Sequence, residues 1–282
     1  MSAIITATGL TRTYPLPRQS LFAEPGVVTG IDDLSFEVQA GERFAIVGES
    51  GSGKSTLLRI IAGLDAPTSG QITVGGIDVS RPGKHIKALR AELQMVFQDP
   101  MSSLDPHMKV RDIVAEPLVA QKIPYTADDI DKLLRDVGIS SDGADRYPHQ
   151  FSGGQRQRIS IARALAPQPK ILIADEPVSA LDVSVRAQVL NLITDLVRTR
   201  DLTLVFVSHD LSVVRHLCER VAVLKDGRLV EIGPTEQVYA EPQSDYTRRL
   251  VAAIPTIGKA LAGAETSDLL LGNEPEEADA QA

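Results

Sequence analysis

The 282-residue sequence predicts an α/β fold, a parallel sheet carrying a helical insertion. Three observations lead there. Short apolar runs such as RFAIVG (43–48), KILIADEP (170–177) and LTLVFVSH (202–209) resemble strands buried on both faces. Runs with helical spacing follow them, so strand and helix alternate in both halves of the chain. Between the halves, residues 109–165 read as mostly helical.

In chain order, residues 16–30 contain prolines and glycines without periodicity and read as an inserted loop. Ile31, Leu34, Phe36 and Val38 approach a two-residue period, which predicts a half-buried strand over 31–38. RFAIVG runs into KSTLLRIIAGL (54–64), where Leu57, Leu58, Ile61 and Leu64 share one face of a helix. QITVGGIDV (71–79) is a strand pair around a Gly-Gly turn, and LQMVFQ (93–98) is a further strand. Within the helical block, Thr126 with Asp129 forms a capping-box-like start. After KILIADEP comes a helix over 183–199, with Asp182 available to cap it. LTLVFVSH, RVAVLKD (220–226) and RLVEIG (228–233) are strands, and 210–219 is a helix.

Composition narrows the functional classes. With 43% hydrophobic and 23% charged residues the chain is of ordinary globular make-up and long enough for a real core. No apolar run approaches the roughly 18 residues of a bilayer span. The start, MSAIITATGLTRTY, lacks the pattern of a secretory leader. One cysteine makes neither an internal disulfide nor a four-cysteine metal site, which fits a reducing cytoplasm. A net charge of −8 argues against a general nucleic-acid binder while leaving room for a small anion pocket. After Lys259 the charged residues are all acids: Glu265, Asp268, Glu274, Glu276, Glu277 and Asp279. Residues 261–282 therefore read as a disordered, solvated tail, with an interaction tail as the other reading. The body over 1–260 is nearly neutral and reads as one domain.

The sharpest chemical signal is Gly48-Glu49-Ser50-Gly51-Ser52-Gly53-Lys54-Ser55-Thr56, a G-x-x-x-x-G-K-[ST] pattern between a strand and a helix. Gly51 and Gly53 permit backbone turns that aim successive N–H groups at one anion, and the helix N-terminus adds its dipole. Lys54 reaches β- and γ-phosphates, and the Ser55 hydroxyl suits Mg²⁺. A second site is the strand end Asp175-Glu176-Pro177. Asp175 suits Mg²⁺, usually through water, and Glu176 suits orientation of an attacking water. Taken alone, that tripeptide reads equally well as a plain turn.

Phe151-Ser152-Gly153-Gly154-Gln155-Arg156-Gln157-Arg158 resembles the signature of the ABC ATPases, usually written LSGGQ, with Phe in place of the common Leu. Gln98 matches the family's Q-loop, Ser179-Ala180-Leu181-Asp182 its D-loop and His209 its switch histidine. Tyr14 lies where the family places an aromatic to stack on adenine; a plain core or surface aromatic is the other reading. The motifs occur in order over about residues 3–255. The resemblance implies a P-loop NTPase parallel-sheet core, an antiparallel β subdomain and a helical signature subdomain over about 98–165. Closer still, FQDPMSSLDPHMKV (97–110), YPHQFSGGQRQR (147–158), DEPVSALDVSVRAQVLNL (175–192) and EPQSDYTRRLVAAIP (241–255) resemble the ATPase subunits of dipeptide, oligopeptide and nickel importers. Some of those carry a late cysteine cluster that binds iron–sulfur. The only cysteine here is Cys218, so no cluster is expected and Cys218 reads as a small buried hydrophobe.

The resemblance implies an ATP-hydrolysing subunit using ATP and Mg²⁺ at a composite site. One subunit contributes Tyr14, the 48–56 cradle, Gln98, Asp175, Glu176 and His209. A facing copy, identical or sister, contributes Ser152, Gly153, Gly154 and Gln155, with the D-loop Asp182 at the same junction. Gln98 and His209 are expected beside Glu176 and Lys54 in catalysis, and Gln98 beside Ser55 and Asp175 at the metal. The implied partners are two transmembrane permeases and, indirectly, an extracytoplasmic solute-binding protein; no nucleic acid is implied. The implied place is the cytoplasmic face of the cell membrane. Phe97, Pro100, Met101 and Leu104 are candidates to line a groove for a permease helix, or else they pack inside the helical block. His85, His107, His149 and His216 read as surface or capping residues. An exporter ATPase, or an ABC ATPase acting in translation or DNA maintenance, are the competing readings.

Overall fold

Each central strand is apolar on both faces, and this decides the architecture. The computed structural model describes residues 2–16, 26–81, 83 and 85–254. Its six-stranded sheet runs β10-β9-β3-β8-β7-β6, built from β3 (Arg43–Val47), β6 (Leu93–Val96), β7 (Ile171–Asp175), β8 (Thr203–Ser208), β9 (Arg220–Lys225) and β10 (Arg228–Pro234). The neighbours are parallel except for the antiparallel edge strand β10. Alternate residues serve two separate cores. Phe44, Ile46, Ile171, Ile173, Val205 and Val207 face one; Ala45, Val47, Leu172, Ala174, Leu204 and Phe206 face the other.

The first core is roofed by helix α1 (Lys54–Ile61) and a four-stranded antiparallel sheet ordered β2-β1-β4-β5. Its strands are β1 (Ala3–Pro15), β2 (Val27–Gln39), β4 (Ser69–Val74) and β5 (Ile77–Asp78). The expected Gly-Gly hairpin is present, with Gly75 and Gly76 both at positive φ. The expected loop over 16–30 is corrected at its end. Val27–Gly30 belong to β2, where Val27 and Val28 pair with Pro15 and Tyr14. Residues 17–25 of that loop lie outside the described residues, as does the 261–282 tail. Leu64 is a second correction. Gly63 at φ +64° ends the helical course, and Leu64 is exposed rather than on the apolar face.

The second core is covered by the insertion between β6 and β7 and by later helices. The insertion holds α3 (Pro100–Ser103), α4 (Val110–Gln121), α5 (Ala127–Asp136) and α6 (Gly153–Leu165), matching the expected helical block. Thr126 and Asp129 form the reciprocal capping box at the head of α5. Helices α7 (Val183–Thr199) and α8 (Leu211–Leu217) pack on the same face. Asp182 stands at the N-cap of α7, yet its side chain makes no capping bond. β1, α2 (Ile86–Glu92), α9 (Thr235–Ala240) and α10 (Asp245–Ala252) were not read from the sequence. In each the pattern is short or is broken by glycine, as at Gly9 in β1, which has φ +58°.

Cys218 follows α8 in extended conformation instead of lying within the helix. It is buried, and burial raises its thiol well above the ordinary range. The native chain is expected to leave this thiol unreacted with a disulfide reagent, and unfolding in urea is expected to release one thiol equivalent, as read by absorbance.

Candidate functional site

In the sheet order, β3, β8, β7 and β6 are neighbours, and all four are parallel. Their carboxyl ends therefore lie on one edge, where α/β sheets gather their ligands. The cradle follows β3, His209 follows β8, Asp175 and Glu176 end β7, and Gln98 lies just past β6. Four motifs far apart in sequence become adjacent by topology.

The cradle is held by close backbone approach. A Cβ on Gly53 (φ +102°) would stand 2.5 Å from the Gly30 carbonyl oxygen, and one on Gly48 would stand 2.3 Å from that of Leu224. Only glycine fits either place. The Ser52 carbonyl accepts from the N–H of Gly227 in the β9–β10 turn at 3.0 Å. The Glu49 N–H donates to the Tyr246 hydroxyl of α10 at 3.0 Å. Tyr246 is a supporting residue that sequence spacing could not find, because the contact joins residues 197 apart in the chain.

The Lys54 side chain is buried, and its ammonium donates to the Gly48 and Glu49 carbonyls at 2.7 and 2.8 Å. An ammonium has three N–H bonds, so one remains for a phosphate oxygen. Burial pulls the Lys54 pKa down, opposed by the carboxylates of Glu176, Asp175 and Glu49. Burial likewise raises that of Asp175; Glu176 adds to the rise and Lys54 opposes it. A site that disfavours the charge of Asp175 by burial is one that a cation would complete. The N–H groups of Lys54, Ser55 and Thr56 head α1 and have no partner within it. The Ser55 residue is exposed. Hydroxyl, carboxylate and amide oxygens are the donor set that suits Mg²⁺.

Glu176 adopts φ +43°, a strained setting for a residue with a side chain. Its N–H donates to the Val207 carbonyl at 3.0 Å, locking the turn to β8. One carboxylate oxygen, Oε2, serves two neighbours: Gln98 Nε2 donates to it at 3.3 Å, and His209 Nδ1 lies 3.1 Å away. Gln98 spends its amide nitrogen here and keeps its carbonyl oxygen for other use.

The other expected residues have different partners. Ser152 and Gln155 bond to one another as a capping box at the head of α6. Gly153 and Gly154 open that helix, and a Cβ on Gly154 would stand 2.3 Å from Val185 Cγ1 of α7. Asp182 is exposed nearby. Tyr14 lies beside Gly30 and Thr56, its hydroxyl bonded to Asp65 at 2.7 Å and its ring under Arg12 at 4.5 Å. His85, His107, His149 and His216 are exposed.

A groove of about 830 Å³ opens between α2, β6 and α4. Phe97 lines it, as expected from sequence. Pro100 and Leu104 are instead buried within the helical block, and Met101 is exposed outside the groove.

Phosphate cradle, strand-end carboxylates and a signature-bearing helical insertion together define an ATP-binding cassette ATPase. The family model described as ABC transporter matches residues 31–179, more than half of the chain, and the chain belongs to that family. It is 46% identical to a di/tripeptide transport ATP-binding protein of Pseudomonas aeruginosa over 91% of this chain and 80% of that protein. It is 45% identical to an oligopeptide transport ATP-binding protein of Bacillus subtilis over 84% of this chain and 80% of that one. A dimeric ATP-binding cassette solved in a post-hydrolysis state with ADP and Pi superposes with a TM-score of 0.72 at 30% identity, covering 82% of this chain and 98% of its own.

Gly154→Ala is expected to destabilise the chain by about 1–3 kcal/mol, because the stiff Val185 side chain must be displaced. Val185→Ala in the same chain should return part of the loss, measured by urea denaturation.

Proposed function

We propose that this chain is the ATP-hydrolysing subunit of a membrane importer of peptides or related small solutes. The observation that carries the hydrolytic reading is the shared Glu176 oxygen, held by Gln98 and His209 at the strand edge beside the cradle. The names of the similar proteins support peptides as cargo.

In this reading residues 1–260 act as one ATPase domain, with the helical subdomain over 98–165. Tyr14 offers a ring beside the cradle for the adenine. Residues 48–56 hold the phosphates, with the free Lys54 donor on the γ-phosphate. Ser55, Asp175 and the Gln98 carbonyl oxygen would hold Mg²⁺, which would supply positive charge against the phosphates. Glu176 accepts a proton from the attacking water and aligns it with the phosphorus. His209 steadies that water and the γ-phosphate from the far side of the same carboxylate. Ser152, Gly153, Gly154 and Gln155 of a second copy or sister chain aim the α6 N-terminus at the γ-phosphate, and Asp182 lies at the same junction. ATP then joins two cassettes, and loss of the γ-phosphate parts them.

No helix among the described residues is long and apolar enough to cross a membrane. Translocation therefore falls to two transmembrane permeases, with an extracytoplasmic binding protein acting through them and this chain peripheral on the cytoplasmic face. The groove at Phe97 is the proposed seat of a permease helix. Its walls carry apolar Leu64, Leu89, Met95 and Ile123, with the cations Lys87, Arg90 and Lys122 around them.

Glu176→Gln is expected to trap an ATP-bound dimer, seen as a shift to twice the mass in gel filtration with ATP and Mg²⁺; a variant that stays monomeric overturns the composite site. Lys54→Ala should abolish hydrolysis measured by phosphate release. Lys87→Glu with Arg90→Glu should weaken co-purification with the permeases while leaving ATP binding by the isolated chain intact.

A further inference from the structure

We infer that Arg186 is a positioning residue for hydrolysis, holding the 179–182 turn and the 208–210 turn in one register from helix α7. This rests on the reading of Glu176 and His209 as the hydrolytic pair.

Little of the His209 side chain is enclosed. It is 60% exposed, and its contact with Glu176 alone does not fix its backbone. Its neighbours hold it instead. The Asp210 N–H donates to Ser208 Oγ at 2.9 Å, closing the turn around His209. Asp210 then caps α8: its Oδ1 accepts from the Ser212 N–H at 3.0 Å and also from the Ser212 hydroxyl. The other oxygen, Oδ2, faces Arg186 Nη1 at 3.5 Å. The same guanidinium turns Nη2 to the Leu181 carbonyl at 3.3 Å, one residue before Asp182. One planar fork thus spans the segment after Glu176 and the segment after His209.

Two features argue that geometry, not stability, is what this contact supplies. The pair is about a third exposed on both sides and long for an ion pair, so its contribution to stability is small. Arg186 Nε is also buried without a hydrogen-bond partner, a cost that a lysine or an apolar residue would avoid. The residue is anchored by the helix itself, where its N–H donates to the Asp182 carbonyl at 2.8 Å. A guanidinium rooted in a 17-residue helix is a rigid reference for the two turns it bridges.

The contact acts on two catalytic distances at once. Through Asp210 it holds His209 against Glu176. Through Leu181 it holds Asp182 where a facing cassette would meet it. A shift of about 1 Å at either place is enough to cost up to a hundredfold in rate.

The test is steady-state ATP hydrolysis by the full chain, with ATP affinity and thermal unfolding measured on the same preparations. Arg186→Gln is expected to lower kcat by roughly tenfold to a hundredfold, with KM within about twofold and the unfolding midpoint close to wild type. Asp210→Asn should lower kcat similarly, and the double variant should be no worse than either single one, since both cut the same link. Arg186→Lys should fall between, keeping the charge toward Asp210 but losing the fork. A normal kcat in Arg186→Gln, additive losses in the double variant, or a kcat loss that only tracks a lower unfolding midpoint would each overturn the inference. Glu176→Gln is the reference. If it hydrolyses normally, the hydrolytic reading itself fails; if it is inactive while Arg186→Gln is normal, only the role of Arg186 falls.

Discussion

The site depends on three backbone segments packing without side chains between them. Gly53 lies against the Gly30 carbonyl and Gly227, and Gly48 lies against the Leu224 carbonyl. Those contacts bring the cradle, the second strand of the antiparallel sheet and the β9–β10 turn within van der Waals reach. The Asp32 N–H then bonds the Gly227 carbonyl, and the Gly227 N–H bonds that of Ser52. The phosphate loop is therefore not a free loop. It is the meeting point of both sheets, and its backbone is held in place by contacts within the chain.

The charge around that loop follows from the two-faced core. Strands apolar on both sides leave no place for a carboxylate except at their ends, so Asp175, Glu176 and His209 collect on one edge. There the buried Lys54 and the half-buried Asp175 oppose each other across the cradle, each disfavoured by desolvation and favoured by the other. A nucleotide and its cation would satisfy both. The strained backbone of Glu176 fits the same logic: the turn is held by Val207, and the strain places one carboxylate oxygen within reach of both Gln98 and His209.

Much of this was legible in advance. Strand and helix positions in the catalytic core followed from apolar runs whose lengths match buried parallel strands, and the helical insertion followed from its changed period. The cradle could be read because its chemistry demands glycine, lysine and hydroxyl at fixed spacing. Less was legible where a residue acts through partners distant in sequence. Tyr246 supports Glu49 from 197 residues away, and Arg186 joins Leu181 to Asp210, with no local pattern to announce either. Leu104 and Pro100 show a choice that the sequence left open, settled here as packing inside the helical block. They carry the right chemistry for a groove, but whether an apolar side chain faces a groove or a core is decided by the packing of neighbouring helices.

By itself, then, the sequence determined the fold class, the order of the motifs and the residue types at the anion site, because periodicity and turn chemistry are local properties of the chain. The tertiary structure alone decided which strand ends become neighbours, and hence that Gln98, Glu176 and His209 share one oxygen beside Lys54. It also decided that the signature turns its bonds inward, onto its own helix cap. Those facts depend on strand order and helix packing, which are set by burial of the whole chain at once and are not written in any one segment.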